Sequence, residues 1–394
     1  MIESWRENFN LKFTDESYRE FLADIWSYNN GRIDFRISET PLFIDYSFSE
    51  LIQKASLEIA QELSSAELTG KMRNAIPKHL NIPDDSSNPV FMQFDFGIVK
   101  DEHGNFVPRL IELQGFPSLY AFQCTLEQKV REHFELPVSL TTYFSGYDYD
   151  SYVNLFRETL LKDEDPENVI LLEVDPKQQK TRIDFHLTER LTGVKSVCIS
   201  EIIQRAKKLF YKNASGKEIP IKRIYNRVIF DELDRTSINY NFDFNHEIDA
   251  EWIGHPNWFF KISKFILPYL KSQFVPECYF LKDLAQLPDD PHNYVIKPLF
   301  SFAGSGVIID VTKRKLESIE NRENYILQRK VEYATVIKTP DGYSKCEIRM
   351  MFIWKNGKPV LVNNLLRTTK GKMVGVDYNK NKTWVGSNIV FHPI

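Results

Sequence analysis
Apolar and polar positions along this chain follow two rhythms. In residues 47–63 (SFSELIQKASLEIAQEL), Leu51, Ala55 and Ile59 recur every fourth position. That spacing predicts an amphipathic helix, and Ser47 with Glu50 has the form of a capping box before it. Residues from about 15 to 75 read as mostly helical, and PDDSSNPV is a polar break. From Val90 the period drops to two. VFMQFDFGIVKDEHGNFVPRLIELQ predicts two strands around the turn DEHGN. Alternation puts Gln93, Asp95 and Gly97 on one face of the first strand, and Leu110, Glu112 and Gln114 on one face of the second. Paired that way, Asp95 and Glu112 converge.

A helix is expected over about 150–161, followed by the acidic linker KDEDPEN. Next, VILLEVDP reads as a buried strand and TRIDFHLTERL as a helix with Ile183, Leu187 and Leu191 in register and a Thr181/Asp184 cap. KSVCI is expected as a strand, EIIQRAKKLFY as a helix and IKRIYNRVIF as a third strand. Such tight alternation predicts a small parallel-sheet domain. After Asp231 the chain reads as helical, most clearly in NWFFKISKFILPYLK. YVIKPLFSFAGSGVIID then gives a strand ending in Lys297, a small-residue turn and a second apolar strand. NYILQRKVEY, CEIRMMFIW and PVLVNNLLR are expected strands, the last two joined through Asn356-Gly357, a type I′ hairpin signal. In that pair Glu347 and Arg349 share a side with Met351, and Asn363, Leu365 and Arg367 share another.

Composition narrows the class. The 394 residues are 42% hydrophobic and 26% charged, with net charge -4. No basic excess points to nucleic acid or an anionic membrane surface. No apolar run has the length of a membrane span, and MIESWRENFNLKF lacks a leader's basic and apolar regions. Cys124, Cys198, Cys278 and Cys346 are far apart, which suits reduced thiols in a cytoplasm.

Candidate chemistry begins at Lys297. A lysine at a strand end, followed by small residues that expose backbone N–H groups, is a device for holding phosphates. An ordinary hairpin turn with one surface lysine has the same pattern, so context must separate the two. The Walker A order, glycines first and lysine last, is not met. A glycine-containing lid between two antiparallel strands fits better. Downstream, Glu347 can accept ribose hydroxyls and Arg349 can meet phosphate oxygens. Upstream, Lys264 can provide a second ammonium. This order matches the ATP-grasp architecture, in which two subdomains grip ATP with a lysine from each. The carboxylate pair that such chains carry after these strands occurs here near the front, as Asp95 and Glu112-x-Gln114, so the order reads as circularly permuted. Carboxylate and amide oxygens on facing strands suit magnesium, with nucleotide phosphates completing the shell.

In that order, FDFGIVKDEHGNFVPRLIELQGFPSLYA, VILLEVDPKQQKTRIDFHLTERL, IYNRVIF, VIKPLFSFAGSGV, YILQRKVEY and NNLLRTTKGKMVGVDYN resemble the eukaryotic-type glutathione synthetases. They also resemble the wider circularly permuted ATP-grasp group that includes glutathionylspermidine-synthase-like proteins. The resemblance covers roughly residues 90–394. It implies an α/β and α+β protein with a permuted ATP-grasp fold and an inserted Rossmann-like substrate domain. The expected parts are an N-terminal helical region over 1–85, metal-binding strands within 86–165, the substrate domain over 166–235 and nucleotide-binding subdomains over 236–394.

It implies that Lys264 and Lys297 contact ATP phosphates, and that Ala303, Gly304, Ser305 and Gly306 form the lid. Gln328, Lys330 and Val331 border adenine, and Glu347 takes the ribose. Glu112 and Gln114, with Asp95 nearby, hold Mg2+. Arg367 receives substrate carboxylate or acyl phosphate, and Lys297 and Arg349 join it in neutralising charge. The implied activity is ATP-dependent joining of a small-molecule carboxylate to an amine through an acyl phosphate. A phosphotransferase and a non-catalytic nucleotide-binding protein are the alternatives, and a homodimer is one compatible assembly. The chain departs from the family in places. Ser301 stands where an acidic metal ligand is usual, Phe300 and Phe302 flank it, and Gln114 replaces Asn. The tail after Arg367 is cationic and polar.

Overall fold
The computed structural model describes residues 1–394 except Ser237, Phe302 and Ala303, and except the side chains of Asp231, Asp234, Val376 and Asp377. The period-two stretch after Val90 forms the strands Phe91–Lys100 and Phe106–Gln114. Both lie in an antiparallel sheet with Gly342–Lys355, Lys358–Thr369 and Gly386–Asn388, while Ile337–Thr339 pairs to the side. The Lys355–Lys358 connection turns with Asn356 at φ 51° and Gly357 at φ 75°, as a type I′ turn requires.

One face of this sheet is apolar. Phe94, Phe96, Ile348 and Met350 pack there against Ile52, Ala55 and Ile59 of the helix Tyr46–Leu63. Each of the Phe, Ile and Met side chains, fully buried, contributes about 1.5–3 kcal/mol. The opposite face is apolar around Phe91, Met351, Ile353 and Leu365, and its polar part carries the site. The helix starts two residues earlier than the Ser47 box predicts, and Asp45 caps it instead, accepting from the Phe48 N–H at 2.9 Å.

A second sheet is wholly parallel, in the order Glu251–Ile253, Arg223–Asn226, Val169–Glu173, Lys195–Cys198. Both faces are covered, by Ile170, Leu172 and Ile224 on one side and by Leu171, Tyr225 and Ile253 on the other. Continuous apolar strands are the signature of such burial. A third sheet, Cys278–Phe280, Tyr325–Arg329 and Tyr294–Pro298, is antiparallel. Ile296 and Leu327 close one of its faces on Leu281, Val311 and Leu316, while Lys297 and Gln328 leave from the other.

Several expected helices and strands differ in the structure. The helix expected in EIIQRAKKLFY is instead the strands Ile203–Arg205 and Lys208–Lys212, joined to Glu218–Ile221 in a meander. Leu209 and Tyr211 are buried while Lys208 and Lys212 are exposed, so period two wins over helical spacing. The helix expected in NWFFKISKFILPYLK breaks into Trp258–Lys261 and a tight 3-10 turn, Lys264–Tyr269, that holds Pro268. The strand expected at VIID is reduced to a bridge between Ile308 and Ile296. Among the described residues no helix is long and apolar enough to cross a membrane.

Candidate functional site: a buried charge cluster
The hairpin sets the site. Asp95 pairs with Glu112 and Gln93 with Gln114; the register then shifts so that Phe96 faces Leu110 and Ile111 is extra. This bulge corrects the expected face. Leu110 turns to the apolar side with Phe94 and Phe96, and only Glu112 and Gln114 stay beside Asp95. The bulge also frees the Ile111 carbonyl, which accepts from Lys297 Nζ at 2.8 Å.

On the neighbouring strand, Arg349 lies opposite Asp95, and Glu347 lies between Gly97 and Arg367. Arg349 grips Asp95 as a fork, Nε to Oδ1 at 2.6 Å and Nη2 to Oδ2 at 2.8 Å. Arg367 Nη2 also donates to Asp95 Oδ2 and lies 2.8 Å from Glu347 Oε2. With its amide oxygen turned inward, Gln114 accepts from Arg349 Nη2 at 2.8 Å. The Tyr333 hydroxyl donates to Glu347 Oε1. Its ring occupies the space over Gly97, where an added Cβ would stand 2.6 Å from Tyr333 Cε1. Glycine is therefore required there by close approach.

Lys264 opens its 3-10 turn after Ser263, whose Oγ accepts from the Phe265 N–H at 3.3 Å. The buried Lys264 ammonium donates to the Ser301 carbonyl at 2.6 Å and lies 3.2 Å from Glu112 Oε1. Burial would raise the Asp95 carboxyl, but Arg349 and Arg367 outweigh it and hold it below the ordinary value. Burial acts likewise on Glu112, where Lys264 wins and lowers it. At Glu347 burial prevails against Arg367 and the carboxyl is raised. Burial lowers Lys297 against the pull of Glu112.

Asp95, Glu112, Gln114, Lys264, Lys297, Glu347, Arg349 and Arg367 thus lie in one connected cluster, assembled from both ends of the chain. Gln328 is buried and points at the hairpin, 3.4 Å from the Leu110 carbonyl. Lys330 is exposed and Val331 half-buried; of the three residues expected to border adenine, Gln328 is the one that reaches the hairpin. Gly304 and Gly306 take the left-handed region, and Ser305 and Gly306 are exposed. Ala303, expected in the lid with Phe302, lies outside the described residues.

The donors do not fit magnesium. Both Asp95 oxygens and the inward amide of Gln114 are taken by guanidinium N–H groups, and Glu112 faces an ammonium. Ser301 supplies a hydroxyl where a third carboxylate would be needed. Among the described residues no three His, Cys, Asp or Glu side chains are placed to hold a metal ion.

A second buried cluster was not foreseen. Glu173 ends its parallel strand, and Arg227 directly follows another. Arg227 Nε is 3.9 Å from Glu173 Oε2, and its guanidinium lies over the Phe116 ring at 4.7 Å. Its Nε and Nη1 find no hydrogen-bond partner among the described residues. Burial, opposed by Arg227, pushes the Glu173 carboxyl up to about 8. Nearby, Asp184 accepts from the Leu119 and Phe122 N–H groups at 3.1 and 2.9 Å. It thereby holds the start of the helix Tyr120–His133, which Leu119 enters at φ 64°. The Thr181/Asp184 cap expected on Asp184's own helix is absent, because that carboxylate is turned outward to this second helix. Parallel sheets bind ligands at the carboxyl ends of their strands. A charge closing an apolar run, as in VILLE and IYNR, was the available signal, and it is the one that singled out Lys297.

The sequence matches no protein-family model and no curated protein. Among solved structures, a glutathione synthetase-like effector (GSS30) from Globodera pallida, in its apo form, is similar to this chain. It aligns with TM-score 0.55 and 14% identity over 91% of this chain and 96% of that one. At that identity the likeness is one of fold: the chain is a mixed α/β protein similar to glutathione synthetase-like proteins.

Proposed function
We propose that the protein is an ATP-dependent carboxylate–amine ligase on a circularly permuted ATP-grasp fold. The supporting observation is the reach of two late lysines to the early hairpin. Lys297 Nζ is 2.8 Å from the Ile111 carbonyl, and Lys264 Nζ is 3.2 Å from Glu112. Arg349 and Arg367 complete a set of four cations facing three carboxylates. In this reading an acid substrate attacks the γ-phosphoryl group and ADP leaves. An amine then attacks the acyl carbon, and phosphate departs with the amine's proton. The protein neutralises charge and aligns the reactants, so no nucleophilic side chain is needed. Arg227, with unpartnered donors among the described residues, would receive a carboxylate of the acid.

ADP release is measured with ATP, with and without added magnesium, and with mixed amino acids or polyamines. Amine-dependent ADP supports the ligase, and ADP formed without need of an amine supports a phosphotransferase. Lys297→Ala should weaken ATP binding by at least about tenfold, as expected for one charge-assisted hydrogen bond. Unchanged affinity would place the nucleotide elsewhere. A second reading is nucleotide binding without turnover, and the double guanidinium hold on Asp95 favours it. Tight ATP binding with no ADP would establish that reading.

A further inference from the structure
Resting on the nucleotide site proposed above, we infer that Arg349, Arg367, Lys264 and Lys297 stand in for a divalent metal, so that the cluster takes nucleotide phosphates without magnesium. Magnesium needs anionic oxygens at octahedral positions and gives up its waters reluctantly. Here most of the carboxylate oxygens that would serve already face donors of the protein. Asp95 is held on both oxygens by Arg349 and again by Arg367. Both Glu347 oxygens are engaged, by Tyr333 and Arg367. Glu112 Oε1 lies against Lys264. A metal entering between Glu112 and Asp95 would have to displace a bidentate guanidinium and settle beside an ammonium.

Charge points the same way. Four cations against three carboxylates leave a formal surplus of one positive charge. That surplus opposes a free divalent cation and attracts a polyphosphate. Arginine suits the task, because its planar fork matches phosphate geometry and keeps its charge when buried. Ser301 fits the same pattern. Its hydroxyl is buried without a partner among the described residues, and its carbonyl takes the Lys264 ammonium. A neutral donor at that place can face a phosphate oxygen, which a carboxylate could do only through a metal.

The test is calorimetric titration of the full chain with ATP and with a non-hydrolysable ATP analogue, in excess EDTA and in excess magnesium. The inference expects affinities that agree within about threefold in the two buffers. Binding in magnesium but not in EDTA would overturn it while leaving the nucleotide site intact. No binding in either buffer would overturn the nucleotide site, and this inference with it. Ser301→Glu supplies the missing carboxylate and sharpens the outcome. It should weaken binding in EDTA and restore it in magnesium, and equal affinities in that variant would also count against the inference. Manganese alone, followed by water-proton relaxation, should show no tight binding to the unaltered protein.

Discussion
The two buried charge clusters solve one problem in opposite ways. On the antiparallel sheet, Asp95 is surrounded by fixed guanidinium groups and its carboxyl is held low. At the ends of the parallel strands, Glu173 and Arg227 lie 3.9 Å apart with donors left open, and the Glu173 carboxyl is pushed up to about 8. Desolvation is severe in both places. The difference lies in geometry, because a well-formed fork outweighs burial and a loose contact does not. The compensated cluster is held in place by its own pairs, and the uncompensated one keeps donors open.

The strongest way to break the contrast is Asp95→Asn. It strands two guanidinium groups and should cost about 3–5 kcal/mol by urea unfolding. A loss below about 1 kcal/mol would mean that the pairing contributes little. The next test is in pH. The folded Glu173 keeps its proton to about 8, whereas the ordinary value is 4.5, so its contribution is fully present below 4.5 and is lost as pH rises through about 8. Relative to Glu173→Gln, the unaltered protein should lose up to about 1.4 kcal/mol per pH unit in that window. Asp95 behaves in the opposite sense. Its folded value lies below 3.8, so its stabilisation is present above 3.8 and is lost as pH falls. Parallel pH curves for the unaltered protein and the Glu173→Gln variant would remove the contrast. The smallest expected effect is that of Tyr333→Phe, which deletes the hydroxyl on Glu347 and should cost about 1 kcal/mol.

Much of the site could be read from the sequence, because strands announce their faces. Asp95, Glu112, Glu347, Arg349 and Arg367 share the polar face that alternation assigned them. Leu110 did not follow, since a bulge is a local slip that period counting passes over. Tyr333 was invisible because it lies outside any strand, and only the space over Gly97 explains its position. Glu173 and Arg227 fall inside the stretches VILLEVDP and IKRIYNRVIF that read as strands, where nothing marks them as a pair. Their meeting depends on parallel neighbours far apart in sequence, Val169–Glu173 beside Arg223–Asn226.

The extra residue in the hairpin makes one strand serve two partners. Before Ile111 the edge is committed to the oily layer beneath it; after Ile111 the chain hands a peptide oxygen to the small sheet above. A single added amino acid thus gives one of the rivets, beside the Lys264–Glu112 and Gln328–Leu110 contacts, between parts drawn from distant stretches of the polypeptide.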